Sequence, residues 1–373
     1  MAFTVDGSNG LTFPDSTNMA SATALGMRNR IINGAMVIDQ RNAGASINNG
    51  AGGLYSLDRW ATYGAQASKF SIQQNAGSVT PPAGFKNYLG ITSLSAYTVG
   101  ASESFSIRQY IEGFNTADLN FGSASAVTVT LSFWVRSSLT GSFGGCFYNS
   151  AGDRFYAFGY TINSANTWEY KTITLAGDTT GTWIGATNGI GIVVQFSLGA
   201  GASVSGSANS WTSSTALQPT GATSVVGTNG ATFYLTGVQF ERGTQATPFD
   251  WRPYPVELNM CYRYYSKVGG TNGNEMANVG SFQCYSSTQT AGSLIYPVEM
   301  RASPTLGYSA VSDWVVTTNV YGTAATTAIS AGQIGTRTLQ LICTIGSASL
   351  TAGNATNMQA FNINARLTLS AEL

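Results

Sequence analysis

Apolar and polar side chains alternate along much of the chain, and this alternation restricts the chain to β-structure. Between residues 127 and 135 the apolar side chains occupy the odd positions, apart from Trp134, and residues 192–198 repeat the pattern. Residues 361–373 are apolar at every odd position. A strand alternates in this way when one face is buried and the other faces water. We therefore expect many short strands arranged as sandwiches or barrels.

The strand predicted at residues 105–111 carries Arg108 and Tyr110 on the face opposite its apolar side chains. Stretches rich in Gly, Asn, Ser and Pro separate the predicted strands. One such stretch, residues 141–145, lacks the following Lys-Ser/Thr of a phosphate loop, and we predict a turn or flexible loop there. One short helix is predicted near residues 256–263, because Pro255 suits a first helical turn.

Only 9% of the residues are charged, against about 25% in typical globular proteins. Exposed helix faces usually carry Glu, Lys and Arg, so this composition also favours β-structure. The net charge is +0, so the protein as a whole is not attracted electrostatically to nucleic acid or to an anionic membrane. We therefore expect no nucleic-acid partner. The amino-terminal residues do not resemble a signal peptide and no apolar run reaches 18 residues, so we expect synthesis in a cytoplasm and no membrane insertion.

The chain contains no histidine, which removes the commonest general base and the usual partner of a nucleophilic serine. Glu103 and Glu112 are separated by a predicted strand of about 30 Å, too far for a glycosidase pair. Glu241 and Asp250 flank a turn, and we interpret them as solvated carboxylates or as ion-pair partners of Arg242 and Arg252. We therefore expect a protein that is not an enzyme.

The four cysteines are far apart in sequence and form no metal-binding spacing. Buried free thiols are expected, with one or two distant disulfides as the alternative. The residues are Cys146, Cys261, Cys284 and Cys343.

Three regions follow from the distribution of apolar residues and prolines. Residues 1–27 form an arm with little hydrophobic mass, which we predict to serve in attachment or oligomerisation. Residues 28–252 form a first β unit and residues 256–373 a second one. The boundary is placed at residues 247–255, which contain three prolines.

Several segments resemble parts of bacteriophage tail fibre and tail-appendage proteins. Residues 11–17 read Leu-Thr-Phe-Pro-Asp-Ser-Thr, similar to a "TFPDGT" element of tail fibres. A second group of segments resembles the beginning and the end of a jelly-roll module in these proteins. A third group resembles their carboxy-terminal β domain. The second group comprises residues 28–36, 39–41, 57–60, 236–243 and 246–252, and the third comprises residues 258–265 and 296–304.

The resemblance implies a virion tail protein with a jelly-roll domain similar to carbohydrate-binding modules, followed by a smaller carboxy-terminal β-sandwich. It further implies a homotrimer that contacts other phage tail proteins through its arm and binds a host cell-surface polysaccharide or lipopolysaccharide during adsorption. The arm before Leu11 is short and no repetitive shaft follows it, which favours a short appendage or the distal piece of a larger assembly.

Jelly rolls similar to sugar-binding modules often hold a structural calcium ion near the chain ends. Asp58 and Glu241 are the residues that could contribute to such a site. A buried ion pair between Arg59 and Glu241 would explain the same residues without a cation, and no other cofactor is expected.

Sugars stack their apolar faces on aromatic rings and exchange hydrogen bonds with amide and charged side chains. We assign Trp134 and Trp251 to packing. The predicted glycan-binding residues are Tyr148, Asn149, Asp153, Arg154, Tyr156, Trp168, Trp183 and Trp211.

Three alternatives to a glycan-binding appendage remain open at this point. The chain could be a structural tail component that binds only other virion proteins, or a tailspike that depolymerises polysaccharide. A secreted bacterial lectin is the third, and it is disfavoured by the amino-terminal sequence.

Overall fold

The computed structural model describes the backbone of residues 4–6, 10–12 and 18–19, and the residues 27–269, 278–318 and 322–373. Its regular structure consists of antiparallel strands and one α-helix, with a few short 3-10 turns. The all-β prediction is therefore confirmed. No described helix has the length and apolar character needed to cross a membrane.

The amino-terminal arm forms a small sheet of its own. Strands β1 (Thr4–Asp6), β2 (Gly10–Thr12) and β3 (Asn18–Met19) pair in this order and antiparallel. Residues 13–17 of the motif that resembles tail fibres lie outside the described residues. The attachment role of the arm stays a prediction.

The first β unit contains the next thirteen strands. They are β4 (Ile47–Asn48), β5 (Gly52–Tyr55), β6 (Ala61–Gly64), β7 (Phe70–Gln74), β8 (Leu89–Ser93), β9 (Ser104–Glu112), β10 (Val129–Ser137), β11 (Gly141–Tyr148), β12 (Phe155–Ile162), β13 (Glu169–Leu175), β14 (Ile190–Ala200), β15 (Trp211–Thr212) and β16 (Thr232–Arg242).

Two sheets of this unit pack face to face as the predicted jelly-roll sandwich. One has the order β13-β10-β16-β8-β7-β4, and the other has the order β15-β12-β11-β14-β9-β6-β5. Side chains from both sheets and their connections, including Trp60, Phe133 and Phe196, are fully buried between them. The alternation predicted from the sequence is thus the alternation between this core and the two outer faces.

Residues 201–222 cover part of the outer face of the seven-stranded sheet. Pro219 occupies the space in which a side chain on Gly144 would lie. Ser197 on β14 donates a hydrogen bond to Gln218 (2.7 Å). Toward β9 and β6 the same face is less covered, and its larger side chains are half-buried instead of buried.

The second β unit begins with α1 (Tyr254–Tyr262), which confirms the predicted helix near residues 256–263. Its strands are β17 (Tyr265–Gly269), β18 (Asn278–Cys284), β19 (Gln289–Ile295), β20 (Thr305–Tyr308), β21 (Trp314–Thr318), β22 (Gly322–Ile334), β23 (Thr338–Ile345), β24 (Ala355–Ala360) and β25 (Arg366–Ser370).

These strands form a closed barrel of order β18-β19-β23-β22-β21-β24 and a separate three-stranded sheet β17-β25-β20. The smaller sandwich predicted for this unit is corrected to a barrel with a flanking sheet. The long strand β22 pairs with β21 at one end and with β23 at the other, and its register shifts twice along β23. Such bulges bend a strand and allow a sheet to close.

The strand predicted at residues 361–373 is shorter than its alternation suggested. Phe361 and Ile363 are 61% and 58% exposed, and β25 begins only at Arg366. The side-chain oxygen of Asn362 accepts a hydrogen bond from the Asn364 amide (2.8 Å), and this local turn replaces pairing with a neighbouring strand.

Each unit has a main hydrophobic core of its own, and the two units share a small third cluster, in which Ile32 and Ile38 pack with Cys261 and Tyr264. They also share polar contacts. Arg263, just after α1, donates two hydrogen bonds to Glu112 on β9, at 2.5 and 2.9 Å. Arg59 pairs with Glu372 near the carboxyl terminus. The predicted ion pair of Arg59 with Glu241 is therefore wrong. The domain boundaries at residues 27, 252 and 256 stay a prediction.

Candidate functional site

Six of the eight predicted glycan-binding residues converge at one end of the sandwich, around Asp178. Arg154 forms a two-pronged ion pair with Asp178 at 2.6 and 2.8 Å. Asn149 is buried and donates to Asp153 (2.6 Å) and to the Thr182 carbonyl (3.0 Å). Burial disfavours the charged form of Asp178, but the hydrogen bonds from Arg154 and Thr180 more than offset this effect, and the pKa of Asp178 lies below its ordinary value.

The aromatic members of this group pack on one another. The Trp211 ring lies 5.3 Å from Trp183 and 5.2 Å from Tyr156, measured between centroids. Each indole nitrogen donates within the chain, from Trp211 to the Ala176 carbonyl (2.9 Å) and from Trp183 to Thr180 and Asp178. Because these polar atoms already have partners, the cluster is best explained as the packed end of the sandwich.

A cavity of about 230 Å³ adjoins this cluster on the side of Phe121 and Trp183. Its remaining lining includes Thr116, Asn120 and Ile184. No charged side chain lines it, so it offers shape and backbone groups but no strong anchor.

The other two predicted residues lie elsewhere. Trp168 packs against Tyr88 on the side of the six-stranded sheet and donates to the Thr80 carbonyl (2.9 Å). Tyr148 ends strand β11 on the outer face of the seven-stranded sheet and accepts a hydrogen bond from Arg108 (2.9 Å). The eight residues therefore do not form one site.

Tyr148 belongs to a second group, which we call the tyrosine–arginine face: Tyr63, Arg108, Tyr110 and Tyr148. The guanidinium carbon of Arg108 lies 4.4 Å from the ring centroid of Tyr63 and 5.8 Å from that of Tyr110. All four side chains are half-buried. Two phenol rings and the hydroxyl of a third tyrosine thus surround one cation on a partly covered sheet surface.

Strand register places these residues on the same face. Arg108 on β9 lies opposite Gln195 on β14, and Tyr110 lies opposite Val193, which in turn lies opposite Tyr148 on β11. Directly paired residues, and residues two apart on one strand, point to the same side of a sheet. The site is therefore positioned by four adjacent strands, β11, β14, β9 and β6, which gives it a rigid base.

Three polar atoms on this face are buried and have no hydrogen-bond partner: Nε of Arg108, Nε2 of Gln195 and Oγ of Ser106. Buried polar groups normally have partners, and each unmet group costs about 1–3 kcal/mol. Burial also raises the pKa of the Tyr148 phenol well above its ordinary value, so this hydroxyl stays protonated and can donate to a ligand. The face therefore contains unmet buried polar groups, which the Asp178 cluster lacks.

Part of the tyrosine–arginine face could be predicted from the sequence. The alternation in β9 correctly placed Arg108 and Tyr110 on the face away from the core. Tyr63, Ser106 and Gln195 were missed, because they join the site only through the pairing of β6, β9 and β14, and strand register cannot be derived from one sequence.

Other depressions lie outside these groups. A cavity of about 210 Å³ is bordered by Phe249, Trp251 and Tyr254 at the junction between the units. Trp251 packs on Phe85 (4.9 Å between centroids) yet is 52% exposed, whereas Trp134 is half-buried against Tyr170. A shallow groove of about 560 Å³ crosses the barrel wall beside Tyr285 and Gln340.

The carboxylates considered for calcium are engaged by protein donors. Asp58 accepts from the backbone amide (2.7 Å) and the side chain (2.6 Å) of Gln40. Glu241 accepts from the Thr247 amide (2.9 Å) and from Gln239 (2.8 Å). Within the described part of the chain, no group of three or more Asp, Glu, Cys or His side chains is placed to hold a metal ion.

The other predicted ion pairs at this end are corrected by the structure. Arg252 pairs with Glu257 (3.3 Å), and Asp250 lies 3.5 Å from Arg28. Glu241 forms no ion pair with Arg242, because neighbouring residues of β16 point to opposite faces of the sheet. All four cysteines are buried and unpaired, as expected.

Burial raises the pKa of Asp58 to about 6, although hydrogen bonds from Gln40 oppose the shift. A raised carboxyl pKa destabilises the folded protein above that pH, and protonation relieves the penalty as the pH falls from 7 to 5. With no histidine in the chain, few other groups titrate in this window. We expect the free energy of unfolding to rise from pH 7 to pH 5, and the rise to be smaller in Asp58→Asn.

Urea denaturation of both proteins at the two pH values measures this difference. A wild-type protein that loses stability as the pH falls from 7 to 5 would contradict the raised pKa of Asp58.

Comparisons with known proteins give only distant matches. No family model matches the chain, and no curated protein matches its sequence. The enzymatically active domain of tailspike protein 4 from bacteriophage CBA120 is 12% identical, with a TM-score of 0.31 over 58% of this chain and 21% of the tailspike chain. The match therefore spans about a fifth of the tailspike.

Two carbohydrate-binding modules show a similar degree of likeness. The TmCBM61 module, solved with β-1,4-galactotriose, is 11% identical, with a TM-score of 0.29 over 58% of this chain and 99% of the module. The family 11 module of cellulase Lic26A-Cel5E from Clostridium thermocellum is 9% identical, with a TM-score of 0.26 over 54% and 100% of the two chains. Matches at this level do not carry an argument about function, which has to come from the residues of this chain.

Proposed function

We propose that this chain is a phage tail-appendage protein that binds a glycan on the host surface and does not hydrolyse it. The tyrosine–arginine face is the observation that supports the proposal. It combines half-buried phenol rings, a cation with no carboxylate partner among the described residues, and the Tyr148 hydroxyl on adjacent strands. The phage context is supported by the segments that resemble tail fibre proteins.

The chemistry of the face suits a saccharide. Pyranose rings present C–H faces that pack against phenol rings, and their hydroxyls need donors and acceptors at fixed positions. The Tyr148 hydroxyl and the Arg108 guanidinium provide such groups at 2.9 Å from one another. Because these side chains stand on paired strands, little conformational entropy is lost when a sugar binds.

The positions of the carboxylates favour glycan binding without hydrolysis. Glu112 is held by Arg263 and Tyr264, and Glu103 accepts hydrogen bonds from Tyr97 and the Gly100 amide. Neither is free to act as the acid or base of a glycosidase, which needs two carboxyl groups about 5–9.5 Å apart. No carboxylate belongs to the tyrosine–arginine face itself.

A homotrimer attached through residues 1–27 completes the proposal. Three copies of a weak site on one particle increase the overall affinity without new contacts, provided that all three reach the same surface. Reversible adsorption to a host would benefit from this arrangement.

The Tyr63→Ala, Tyr110→Ala double variant tests the site. We expect it to weaken binding on a glycan array, and competition with virions for host cells, by at least tenfold, equivalent to about 1.4 kcal/mol. Tyr170→Ala is the matched control, because Tyr170 is 44% exposed on β13 of the other sheet. We expect the control to bind as the wild type does.

The outcomes separate the proposal from its alternatives. A wild-type protein that binds no glycan and does not compete for host cells would refute the receptor role and favour a structural tail component. Shortened polysaccharide chains after incubation with the protein would instead identify a depolymerase.

A further inference from the structure

We infer that the tyrosine–arginine face selects glycans that carry an anionic group, with Arg108 as the residue that binds the anion. This inference rests on the proposed function and specifies the class of ligand.

Arg108 forms no ion pair among the described residues. Its Nη1 donates to the Tyr148 hydroxyl (2.9 Å), while Nε is buried and has no partner. A guanidinium remains charged at any physiological pH, and a half-buried charge without a counter-ion is costly. Most other arginines of the described chain have a carboxylate partner: Arg28, Arg30, Arg41, Arg59, Arg154, Arg252, Arg263 and Arg337.

The neighbours of Arg108 point to the same kind of ligand. Gln195, directly opposite on β14, is 2% exposed and its Nε2 has no partner. Ser106, two residues along β9 on the same face, is fully buried and its Oγ has no partner. A buried amide nitrogen and a buried hydroxyl therefore lie on the same face as one cation that has no carboxylate partner among the described residues. A ligand with negatively charged oxygens would supply the missing negative charge.

The end of the guanidinium indicates how it would bind an anion. Nη1 donates to Tyr148 and Nε is buried, whereas Nη2 makes no hydrogen bond within the described chain. A guanidinium carries parallel N–H groups that can bind two oxygens of a carboxylate or a phosphate. Carboxylates of acidic sugars and phosphate substituents of lipopolysaccharide share this chemistry.

The net charge of the protein does not contribute to the selection of anionic glycans. The chain carries equal numbers of acidic and basic residues, so it does not attract polyanions over long distances. Selection for an anion would then be local to Arg108, and binding should weaken only moderately with added salt. A broad basic surface would instead show a steep dependence on salt.

The test compares three proteins on an array of neutral, carboxylated and phosphorylated glycans. We expect the wild type to bind acidic glycans, and Arg108→Gln to bind them at least tenfold more weakly. Arg108→Lys should fall between the two, because an ammonium keeps the charge but loses the fork of parallel donors. The carboxylated and phosphorylated glycans distinguish the two sources of the anion.

Arg136→Gln is the matched control, since Arg136 also lies over a tyrosine ring, that of Tyr234 at 5.3 Å, but on the other sheet. Reduction of the carboxyl groups on a bound acidic glycan should abolish its binding. Equal binding of neutral and acidic glycans, or no effect of Arg108→Gln, would overturn the inference and leave the proposed function intact. Binding of no glycan at all would overturn both.

Discussion

Gly145→Val is expected to prevent the sandwich from folding, or to lower its free energy of unfolding by more than about 4 kcal/mol. A Cβ atom on Gly145 would lie 1.9 Å from the backbone oxygen of Gln195 and 2.7 Å from the ring of Phe158. The oxygen belongs to β14, the strand paired with β11, so relief requires separation of two central strands of the seven-stranded sheet.

Gly50→Val is the matched control, because no atom lies within 4 Å of the Cβ position on Gly50. We expect its effect to stay within about 0.5 kcal/mol. Denaturant unfolding followed by tryptophan fluorescence measures both variants. Equal stability of the two would show that β11 and β14 can separate at little cost, contrary to the packing described for them.

This glycine also shows why part of the fold escaped prediction. Residues 141–145 were predicted to be a turn or flexible loop, yet they form the first half of β11. Local composition indicated flexibility, but the reason for glycine here is tertiary packing. The ring of Phe158 occupies the space beside Gly145, and Pro219 occupies the space beside Gly144. Glycine in a strand often marks such a close approach, but the approaching residues are distant in sequence.

Elements governed by local pattern were predicted well. The strands around residues 105–111, 127–135 and 192–198 correspond to β9, β10 and β14, since burial on one face imposes a period of two. Closure of the second unit into a barrel was not predictable, because it depends on bulges in β22. Tyr148 is the only member of the tyrosine–arginine face among the predicted glycan-binding residues. The other members lie close to it only because of the strand register, which the sequence does not reveal.

The second prediction with a large effect concerns Glu372, which holds the carboxyl terminus against the first unit. Its side chain is 6% exposed and pairs with Arg59, which is 1% exposed, and with Arg41 at 2.7 Å. Glu372→Gln would leave the buried Arg59 without a carboxylate. We expect the free energy of unfolding to fall by about 3–5 kcal/mol, the usual effect of removing one member of a buried ion pair.

Glu299→Gln is the control, because Glu299 and its partner Arg337 are 46% and 76% exposed and such pairs contribute about 0–1 kcal/mol. Urea denaturation of the two variants gives the comparison, and similar losses would contradict the importance of burial. Replacing both charges in the Arg59→Met, Glu372→Leu double variant should recover part of the loss, since no buried cation is then left at position 59. Arg59 also donates to the Tyr110 carbonyl, so glycan binding by Glu372→Gln would report whether this ion pair also supports the tyrosine–arginine face.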